Sequence, residues 1–178
     1  MAKVVSVQLN GKHTFTKQPT LFIELLEGQG VAGDAHCGVT VQSRYLKRLD
    51  PSAPNLRQVH LIQQEVIDDL NLQGFNISAG EMGENITTQD INLLALPLHT
   101  ELHFADGATL KLTGIRTPCS QLNKYRKGLM KAVSKKEGEQ AHFVCGVMAV
   151  VTKGGSVSTG EVISTTLPPT PHHALPAL

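Results

Sequence analysis

Residues 100–120 read TELHFADGATLKLTGIRTPCS, and this stretch decides which fold the rest of the chain can join. Apolar and polar residues alternate on both sides of Asp106-Gly107, a pattern typical of two antiparallel strands joined by a tight turn. The second strand, over residues 108–115, leads into Pro118-Cys119-Ser120. Apolar residues then recur at helical spacing, at Leu122, Tyr125, Leu129 and Val133. The sequence therefore predicts a β-hairpin followed by a strand-to-helix junction, with a cysteine where the helix begins.

Cys119 is the residue of this stretch that has a reason to be reactive. At a helix N-terminus, exposed backbone N–H groups and the helix dipole favour a thiolate, and Arg116 adds a positive charge nearby. The thiol is therefore a candidate nucleophile, metal ligand or sulfur carrier. Most free cysteines are instead small buried apolar residues, and the position of Cys119 alone does not separate these interpretations.

Short strands separated by turns are also predicted elsewhere, over residues 4–9, 20–26, 59–62, 145–151 and 157–165. The pair Asn10-Gly11 predicts a tight hairpin turn after the first strand. Helical periodicity extends over residues 63–72 and 122–133, and residues 75–91 are interpreted as a loop between short strands. We therefore expect a mainly β, mostly antiparallel fold, closed into a barrel or sandwich, with a few peripheral helices.

The composition is that of an ordinary globular protein. Of the 178 residues, 17% are charged and 40% are apolar, and the net charge is +1. Such a balance offers no general basic excess for nucleic acid or a membrane surface, so we expect neither as a partner. No apolar run is long enough to cross a bilayer, and residues 1–7 lack the features of a signal peptide. These features predict a cytoplasmic protein.

The cysteines and prolines bear on the compartment and on the domain boundary. Cys37, Cys119 and Cys145 are odd in number and far apart, so we expect reduced thiols rather than a disulfide framework. A single core is expected, with residues 1–165 as one domain. Residues 166–178 are rich in proline, which cannot donate ladder hydrogen bonds, so a mobile extended tail is predicted there.

Residues 27–38 form a glycine-rich loop between predicted strands. Three glycines beginning at Gly28 fit the pattern G-x-G-x-x-G, but no helical periodicity follows them, which argues against a nicotinamide cofactor. The loop does carry Asp34, His36 and Cys37 among glycines, where the main chain can approach a ligand closely. A tight turn whose aspartate binds its own backbone is the simpler alternative.

Three further groups of residues could contact a ligand. Arg57 enters a predicted strand, where a guanidinium could clamp a phosphate or carboxylate. Gly83-Glu84-Asn85 sets a carboxylate and an amide in a turn. Basic residues crowd the helix after Cys119, at Lys124, Arg126, Lys127, Lys131, Lys135 and Lys136. Each group also has an ordinary explanation: a surface arginine, a loop held by its own hydrogen bonds, or a solvated helix face.

Two catalytic arrangements stay open when only the residues are considered. Asp34, His36 and Cys119 could form a cysteine-hydrolase triad, although two residues is a short separation for an aspartate that must reach the far nitrogen of its histidine. A metal site is the other arrangement, yet no pair has a spacing such as C-x-x-C. Its candidate ligands are Cys37, Cys119, Cys145, His36 and His60.

Taken together, these motifs resemble the MOSC family, the C-terminal domain of molybdenum-cofactor sulfurases. The resemblance covers residues 1–165, and its motifs follow the family's order along the chain. They are Gly33-Asp34-x-His36-x-Gly38, Arg57-x-Val59, Gly83-Glu84-Asn85, Arg116-x-Pro118-Cys119 and Gly146-Val147. Each motif is common by itself, but five of them in one order are specific.

The resemblance implies a β-barrel fold that binds the molybdenum cofactor, a phosphate-bearing pterin that carries molybdenum. It also implies that Cys119 ligates the metal or carries sulfur to it. The cofactor-binding residues implied by the matching motifs are Gly33, Asp34, His36, Arg57, Glu84, Asn85 and Arg116. A redox or sulfur-donor protein is the implied protein partner.

Members of the family suggest two roles for such a domain. Some reduce N-hydroxylated bases and amidoximes with an electron-supplying partner, so this chain is a candidate molybdenum-dependent reductase. The alternative is a non-enzymatic carrier that passes the cofactor, or a persulfide sulfur on Cys119, to another protein.

Overall fold

A computed structural model of the chain describes residues 1–137 and 140–178. The strands in these residues are β1 (Lys3–Leu9), β2 (Gln18–Thr20), β3 (Phe22–Leu26), β4 (Gly30–Val31), β5 (Val59–Gln63), β6 (Ile86–Gln89), β7 (Glu101–His103), β8 (Thr109–Ile115), β9 (Ser134–Glu137), β10 (Gln140–Phe143), β11 (Val147–Lys153), β12 (Gly155–Ser158) and β13 (Ser164–Thr166). The α-helices are α1 (Arg44–Leu49), α2 (Gln64–Leu72), α3 (Ser120–Tyr125) and α4 (Leu129–Ala132).

Eight strands form one sheet in the order β13-β7-β8-β11-β5-β6-β1-β2. Its neighbours are antiparallel except β5 and β6, which run parallel with Leu61 opposite Ile86. A three-stranded sheet, β12-β3-β4, and the pair β10-β9 complete the arrangement. The prediction of a mainly β, mostly antiparallel fold is confirmed. Closure into a barrel is not confirmed, because no strand pair in the described ranges joins β13 to β2.

Two hydrophobic clusters hold these layers together. The larger lies between the two main sheets and includes Val7, Ile23, Leu61 and Leu112, each at most 1% exposed. At about 1.5–3 kcal/mol for each fully buried aliphatic side chain, such residues supply most of the stabilisation of the sheets. The second cluster packs α2, α3 and α4 together, through Ile62, Ile67, Leu70, Leu122, Leu129 and Cys145.

The predicted hairpin of residues 100–113 is present as β7 and β8, with Leu102 opposite Leu110. Gly107 has φ +83, a left-handed conformation that glycine adopts without strain and that closes the turn after Asp106. The predicted strand at residues 59–62 and the predicted helix at 63–72 are also confirmed, as β5 and α2. Within the part of the chain that the structure describes, no helix is long and apolar enough to cross a membrane.

One turn prediction and one loop prediction are wrong. Asn10-Gly11 does not close a two-residue hairpin, because β1 pairs with β2 only after the eight-residue connection 10–17. The side chain of Asn10 instead bonds within that loop, accepting from the Lys12 N–H and donating to Thr14. Residues 75–91 also contain β6, a strand that is buried because it lies between β1 and β5.

The helix predicted over residues 122–133 is interrupted. Gly128 has φ +87 and separates α3 from α4, while the side chain of Asn123 accepts a hydrogen bond from the Met130 N–H. The apolar spacing of the segment is nevertheless used, because Leu122, Leu129 and Val133 are all buried. The periodicity therefore identified the buried face correctly but not the break in the helix.

The proline-rich tail is anchored to the sheet, in contrast to the mobile terminus expected from its composition. Leu175 is buried, and the Pro176 carbonyl accepts the Ile115 N–H at 2.7 Å. The Leu178 N–H donates to the Ile115 carbonyl, and Thr117 donates back to the Leu178 carbonyl. Prolines cannot donate ladder bonds, but their carbonyls accept them, and that is how this segment attaches to the end of β8.

Candidate functional site

A cavity of about 700 Å³ brings distant parts of the chain together. Its walls come from the 10–17 connection, the glycine loop, the residues around α1, the start of β5, the turn before β6, the segment that follows β8, and β11. The side chains of His36, Arg57, Asn85, Arg116 and Cys119 line it. Five of the predicted site residues, drawn from distant positions in the sequence, thus share one cavity.

Cys119 occupies the N-cap of α3, with extended backbone angles of φ −126 and ψ 165. The strand-to-helix junction predicted from the sequence is therefore confirmed. Its thiol is partly exposed, and Sγ donates a hydrogen bond to Gln121 Oε1 at 3.9 Å. In residues 1–137 and 140–178 no histidine hydrogen-bonds this sulfur, so the structure gives no support to a cysteine-hydrolase triad.

Two arginines stand near the thiol. Burial lowers the pKa of Arg57, the positive charge of Arg116 lowers it further, and Cys119 acts in the opposite direction. Arg116 donates from Nη1 to the Met82 carbonyl at 2.8 Å and lies 5.7 Å from the centre of the Phe15 ring. Arg57 has no side-chain hydrogen bond to the described part of the chain, so its guanidinium donors are free for an anion.

Asp34 lies behind the cavity wall, and its carboxylate is fully buried. Oδ2 accepts hydrogen bonds from Lys17 Nζ at 2.5 Å, from the Asn10 N–H at 3.1 Å and from Asn85 Nδ2 at 3.1 Å. Oδ1 accepts the His36 N–H at 2.9 Å and lies 3.4 Å from His36 Nδ1. One carboxylate thus joins the glycine loop, the 10–17 connection and the turn before β6.

The charges of this network are set by burial and pairing. Burial alone would raise the pKa of Asp34, but hydrogen bonds from His36 and the charge and hydrogen bond of Lys17 hold it well below its usual range. Burial lowers the pKa of Lys17, and the adjacent Asp34 opposes that change. Asp34 is therefore an ionised residue that organises the wall rather than a direct contact for a ligand.

His36 is the member of the glycine loop that reaches the cavity. Its side chain is 37% exposed, and its Nδ1 faces Asp34. The ring of His13 lies 5.4 Å away at an interplanar angle of 78°. The backbone around His36 is also fixed, because Asn55 Nδ2 donates to the carbonyls of His36 and Gly38 at 2.9 Å.

The two polar side chains of the turn Gly83-Glu84-Asn85 have different roles. Asn85 lines the cavity, accepts the His60 N–H on Oδ1 and donates to Asp34. Glu84 does not line the cavity: its carboxylate accepts from the N–H groups of Gly80 and Met82 and from the Thr87 hydroxyl. The structure thus places Glu84 as a support of the turn, away from the cofactor-binding position predicted for it.

His60 and Cys145 are also placed away from metal-binding roles. His60 Nε2 lies 2.8 Å from the Cys145 carbonyl oxygen, which can only accept, so Nε2 carries the proton. Burial, followed by the charge of Arg116, lowers the pKa of His60 well below its usual value. Burial raises the pKa of Cys145 to about 11. Among the described residues, no group of three or more His, Cys, Asp or Glu could hold a metal ion.

Several residues of the cavity had no signal in the sequence. Lys17 and His13 belong to a connection that was predicted to be a tight turn, and Arg44 and Arg48 belong to α1, in a region without clear periodicity. Arg57 precedes β5 rather than lying within it, and it shares the cavity with His60. Only the path of the loops brings these side chains together.

Residues 48–164 match the model of the MOSC domain family. The YuaD protein from Bacillus subtilis is 20% identical, with a TM-score of 0.78 over 95% of this chain and 98% of that chain. YiiM from Geobacillus stearothermophilus is 15% identical, with a TM-score of 0.70 over 98% and 80%. YiiM from Escherichia coli is 16% identical, with a TM-score of 0.64 over 97% and 73%. At these identities the likeness is one of fold, and no curated protein matches the sequence.

Proposed function

Because the chain belongs to the MOSC domain family, we propose that its cavity binds the molybdenum cofactor and that Cys119 ligates the metal or carries sulfur to it. One observation carries the proposal. A partly exposed thiol and two arginines line the same cavity of about 700 Å³, within the range of small-molecule sites. A soft thiolate next to cationic donors suits a metal held by a phosphate-bearing pterin.

The donor set supports such a cofactor more than a metal held by protein ligands alone. The described residues offer no cluster of three metal-binding side chains, so a bound metal would need most of its ligands from another molecule. Cys119 would supply the single soft protein ligand, and the guanidinium of Arg57 would donate hydrogen bonds to the phosphate. Arg116, Asn85 and His36 would complete the wall around the pterin.

For activity, we propose reduction of N-hydroxylated compounds. When bound, the cofactor would supply the two-electron redox chemistry of this reduction. The cavity residues would bind and orient the substrate beside Cys119 and limit its contact with water. A redox protein would be the partner that delivers electrons.

The second candidate is a carrier that does not turn over substrate. It is favoured by one observation: the thiol of Cys119 is partly exposed and has no hydrogen-bonded base in the described structure. A cofactor or persulfide sulfur held there could be transferred to a sulfur-accepting protein without passing through a closed site.

Reconstitution separates the two candidates. Protein made in a cofactor-competent host is expected to contain molybdenum and to reduce hydroxylaminopurine when a chemical reductant is supplied. Bound molybdenum without turnover would exclude the reductase and leave the carrier. Absence of molybdenum from well-folded protein would contradict the reductase and the cofactor carrier, and would leave only the carrier of persulfide sulfur.

The role of the thiol is tested by Cys119→Ser, with Cys37→Ser as the matched control. Cys37 lies in the glycine loop, and burial raises the pKa of its thiol, which disfavours a ligand thiolate. Metal analysis is expected to show loss of molybdenum from the Cys119 variant and retention in the Cys37 variant. Full molybdenum content in Cys119→Ser would contradict its assignment as a ligand.

A further inference from the structure

We infer that His36 is a proton donor to the bound substrate and that Asp34 and Lys17 are the residues that position it, an inference that rests on the proposed reductase function. The relevant geometry is a chain of three groups. His36 Nδ1 lies 3.4 Å from Asp34 Oδ1, and Asp34 Oδ2 lies 2.5 Å from Lys17 Nζ. Of the three side chains, only that of His36 is substantially exposed.

The proposed reaction requires a proton source. Reduction of an N-hydroxylated compound follows R–NHOH + 2e⁻ + 2H⁺ → R–NH₂ + H₂O, with the electrons taken from the reductant. The N–O bond breaks, and its oxygen must be protonated to leave as water rather than as hydroxide. A positioned general acid typically contributes about 10²–10⁴-fold to such a step.

Most other groups of the cavity are poorly suited to this task. Arg57 and Arg116 hold their protons too tightly to act as general acids. His60 has its Nε2 proton committed to the Cys145 carbonyl. Lys17 is buried, with only 5% of its side chain exposed, and its ammonium is bound to Asp34. His36 remains, with an exposed ring and no hydrogen bond to Nε2 within the described residues.

The surroundings of His36 hold its ring in one orientation. Nδ1 lies 3.4 Å from Asp34 Oδ1, a contact that favours a proton on Nδ1 and leaves Nε2 on the opposite side of the ring, free to donate. Lys17 and the amide of Asn85 hold the carboxylate in place from behind. When Nε2 gives up its proton, the neutral ring that remains carries its hydrogen on Nδ1, beside the ionised Asp34.

The other titratable and charged groups near the ring lie on neighbouring segments. His13 packs against its edge at 5.4 Å. Burial, followed by the charges of His36, Arg44 and Lys47, lowers the pKa of His13, while Asp34 raises it. His13 is therefore the less suitable donor of the two rings, because its neighbours disfavour its charged form.

The first test uses His36→Ala in the reconstituted protein. The variant is expected to fold, because the bonds that hold residue 36 go through its backbone N–H and carbonyl. We expect kcat to fall about 10²-fold or more with little change in KM. Added imidazole should restore turnover, in proportion to the imidazolium concentration as the pH is varied. His172→Ala, an exposed tail histidine outside the cavity, is the control that should retain wild-type kcat.

The second test needs no cofactor. In ¹⁵N spectra of the cofactor-free protein, the neutral His36 ring is expected to carry its hydrogen on Nδ1, and Asp34→Asn should change this preference. In the first test, rescue by imidazole is the readout that separates loss of the proton donor from a loosened loop, because imidazole would not restore turnover if His36→Ala had only loosened the loop.

Each outcome bears on the proposal. Rescue together with the Nδ1–H tautomer supports it. Unchanged kcat in His36→Ala, or loss of kcat without rescue, would overturn it while leaving the reductase function in place. Wild-type protein that holds molybdenum but does not turn over would overturn the reductase proposal and this inference with it.

Discussion

Asp34 and Glu84 are both buried carboxylates in this structure, yet their environments act in opposite directions. Asp34 contacts a lysine and a histidine, and its pKa is lowered. Glu84 accepts three hydrogen bonds from neutral donors, and burial still raises its pKa. For Asp34, the hydrogen bonds from His36 together with the charge and hydrogen bond of Lys17 outweigh desolvation, whereas the hydrogen bonds to Glu84 do not outweigh it.

Asp34→Asn is expected to destabilise the protein by about 3–5 kcal/mol, because it leaves the ammonium of Lys17 buried and unpaired. Urea denaturation would measure the loss. In the double variant Lys17→Met/Asp34→Asn the total loss should be smaller than the sum of the two single losses, because each single change disrupts the same pair. Strictly additive losses would contradict this coupling.

The same pair predicts how stability changes in acid. The pKa of Asp34 is below its unfolded value of 3.8, so its contribution is complete above that pH and is lost as the pH falls towards the folded value. The difference in unfolding free energy between wild type and Asp34→Asn should therefore shrink below about pH 4. A difference that stayed constant down to the acid transition would contradict the assignment.

The close packing around Gly146 can be tested by substitution with alanine, with Gly160 as the matched control. Both have left-handed backbones, with φ +98 and φ +90. A Cβ on Gly160 meets nothing within 4 Å, so Gly160→Ala should cost only the backbone strain, about 1–2 kcal/mol. A Cβ on Gly146 would overlap the Leu61 carbonyl and approach His60 Nε2 to 2.7 Å, so Gly146→Ala should cost more than about 4 kcal/mol. Equal losses by thermal unfolding would contradict this.

The residue types of the site could be predicted from the sequence, but their contacts could not. Cys119, Arg116, Arg57 and His36 share the cavity, in agreement with the motifs. Nothing in the sequence indicated that Lys17 would pair with Asp34, because that contact depends on the path of a loop rather than on a periodic pattern. For Glu84 the ordinary explanation, a loop held by its own hydrogen bonds, agrees with the structure, whereas the family motif implied a contact with the cofactor.

Among the elements, β11 and the glycine loop are tied together by one side chain. Gln58 is buried; its Oε1 accepts the Val151 N–H at 2.9 Å, and its Nε2 donates to the Gly28 carbonyl at 3.0 Å. Gly30 is required opposite it, since a Cβ there would lie 2.8 Å from the Gln58 carbonyl oxygen. Of the three glycines in the pattern G-x-G-x-x-G, Gly30 is the one that close packing requires, because a Cβ on Gly28 or Gly33 would meet nothing within 4 Å.

Gln58→Leu is expected to leave the buried N–H of Val151 without an acceptor, at about 1–3 kcal/mol. The Gly28 carbonyl belongs to an exposed residue, where water can take the place of the lost donor. Hydrogen exchange at the Val151 amide should also accelerate. Gln73→Leu, at the exposed end of α2, is the control and should change stability by less than about 0.5 kcal/mol. A neutral Gln58→Leu would show that water replaces both bonds.

The boundaries of elements could be predicted where periodicity was strong. The predictions were wrong where a single residue or a neighbouring strand determines the local conformation. The hairpin β7–β8 and the helix α2 followed from alternation and helical spacing. Gly128 interrupted a helix whose apolar spacing continued through it. The short strand β6 owes its conformation to pairing with β1 and β5, a long-range effect that local sequence does not encode.

In the whole molecule, the C-terminal segment braces the approach to the cavity. It bonds to Ile115 and Thr117, the residues immediately before and after Arg116. Gly114 allows this approach, since a Cβ there would lie 2.6 Å from the Pro176 carbonyl oxygen. The sequence indicated an extended segment correctly, but composition alone could not show that it has a docking partner.

Leu175→Ala is expected to cost about 2–5 kcal/mol, because the side chain is buried against the main core. Leu167→Ala, in the same segment but 49% exposed, is the matched control and should be nearly neutral. Amide exchange at Ile115 and Thr117 should accelerate only in the Leu175 variant. Equal effects of the two substitutions would contradict anchoring through Leu175.

The network around Asp34 also has a consequence for the order of events during synthesis. Its hydrogen bonds join residues separated by 17, 24 and 51 positions, and the His60–Cys145 contact beside it spans 85. Contacts of such separation form late, because long segments must first be ordered. Met148 completes the cavity wall, so a nascent chain has no finished pocket until β11 has emerged from the ribosome. Loading of a ligand into the finished cavity therefore requires that the chain has been made at least through β11.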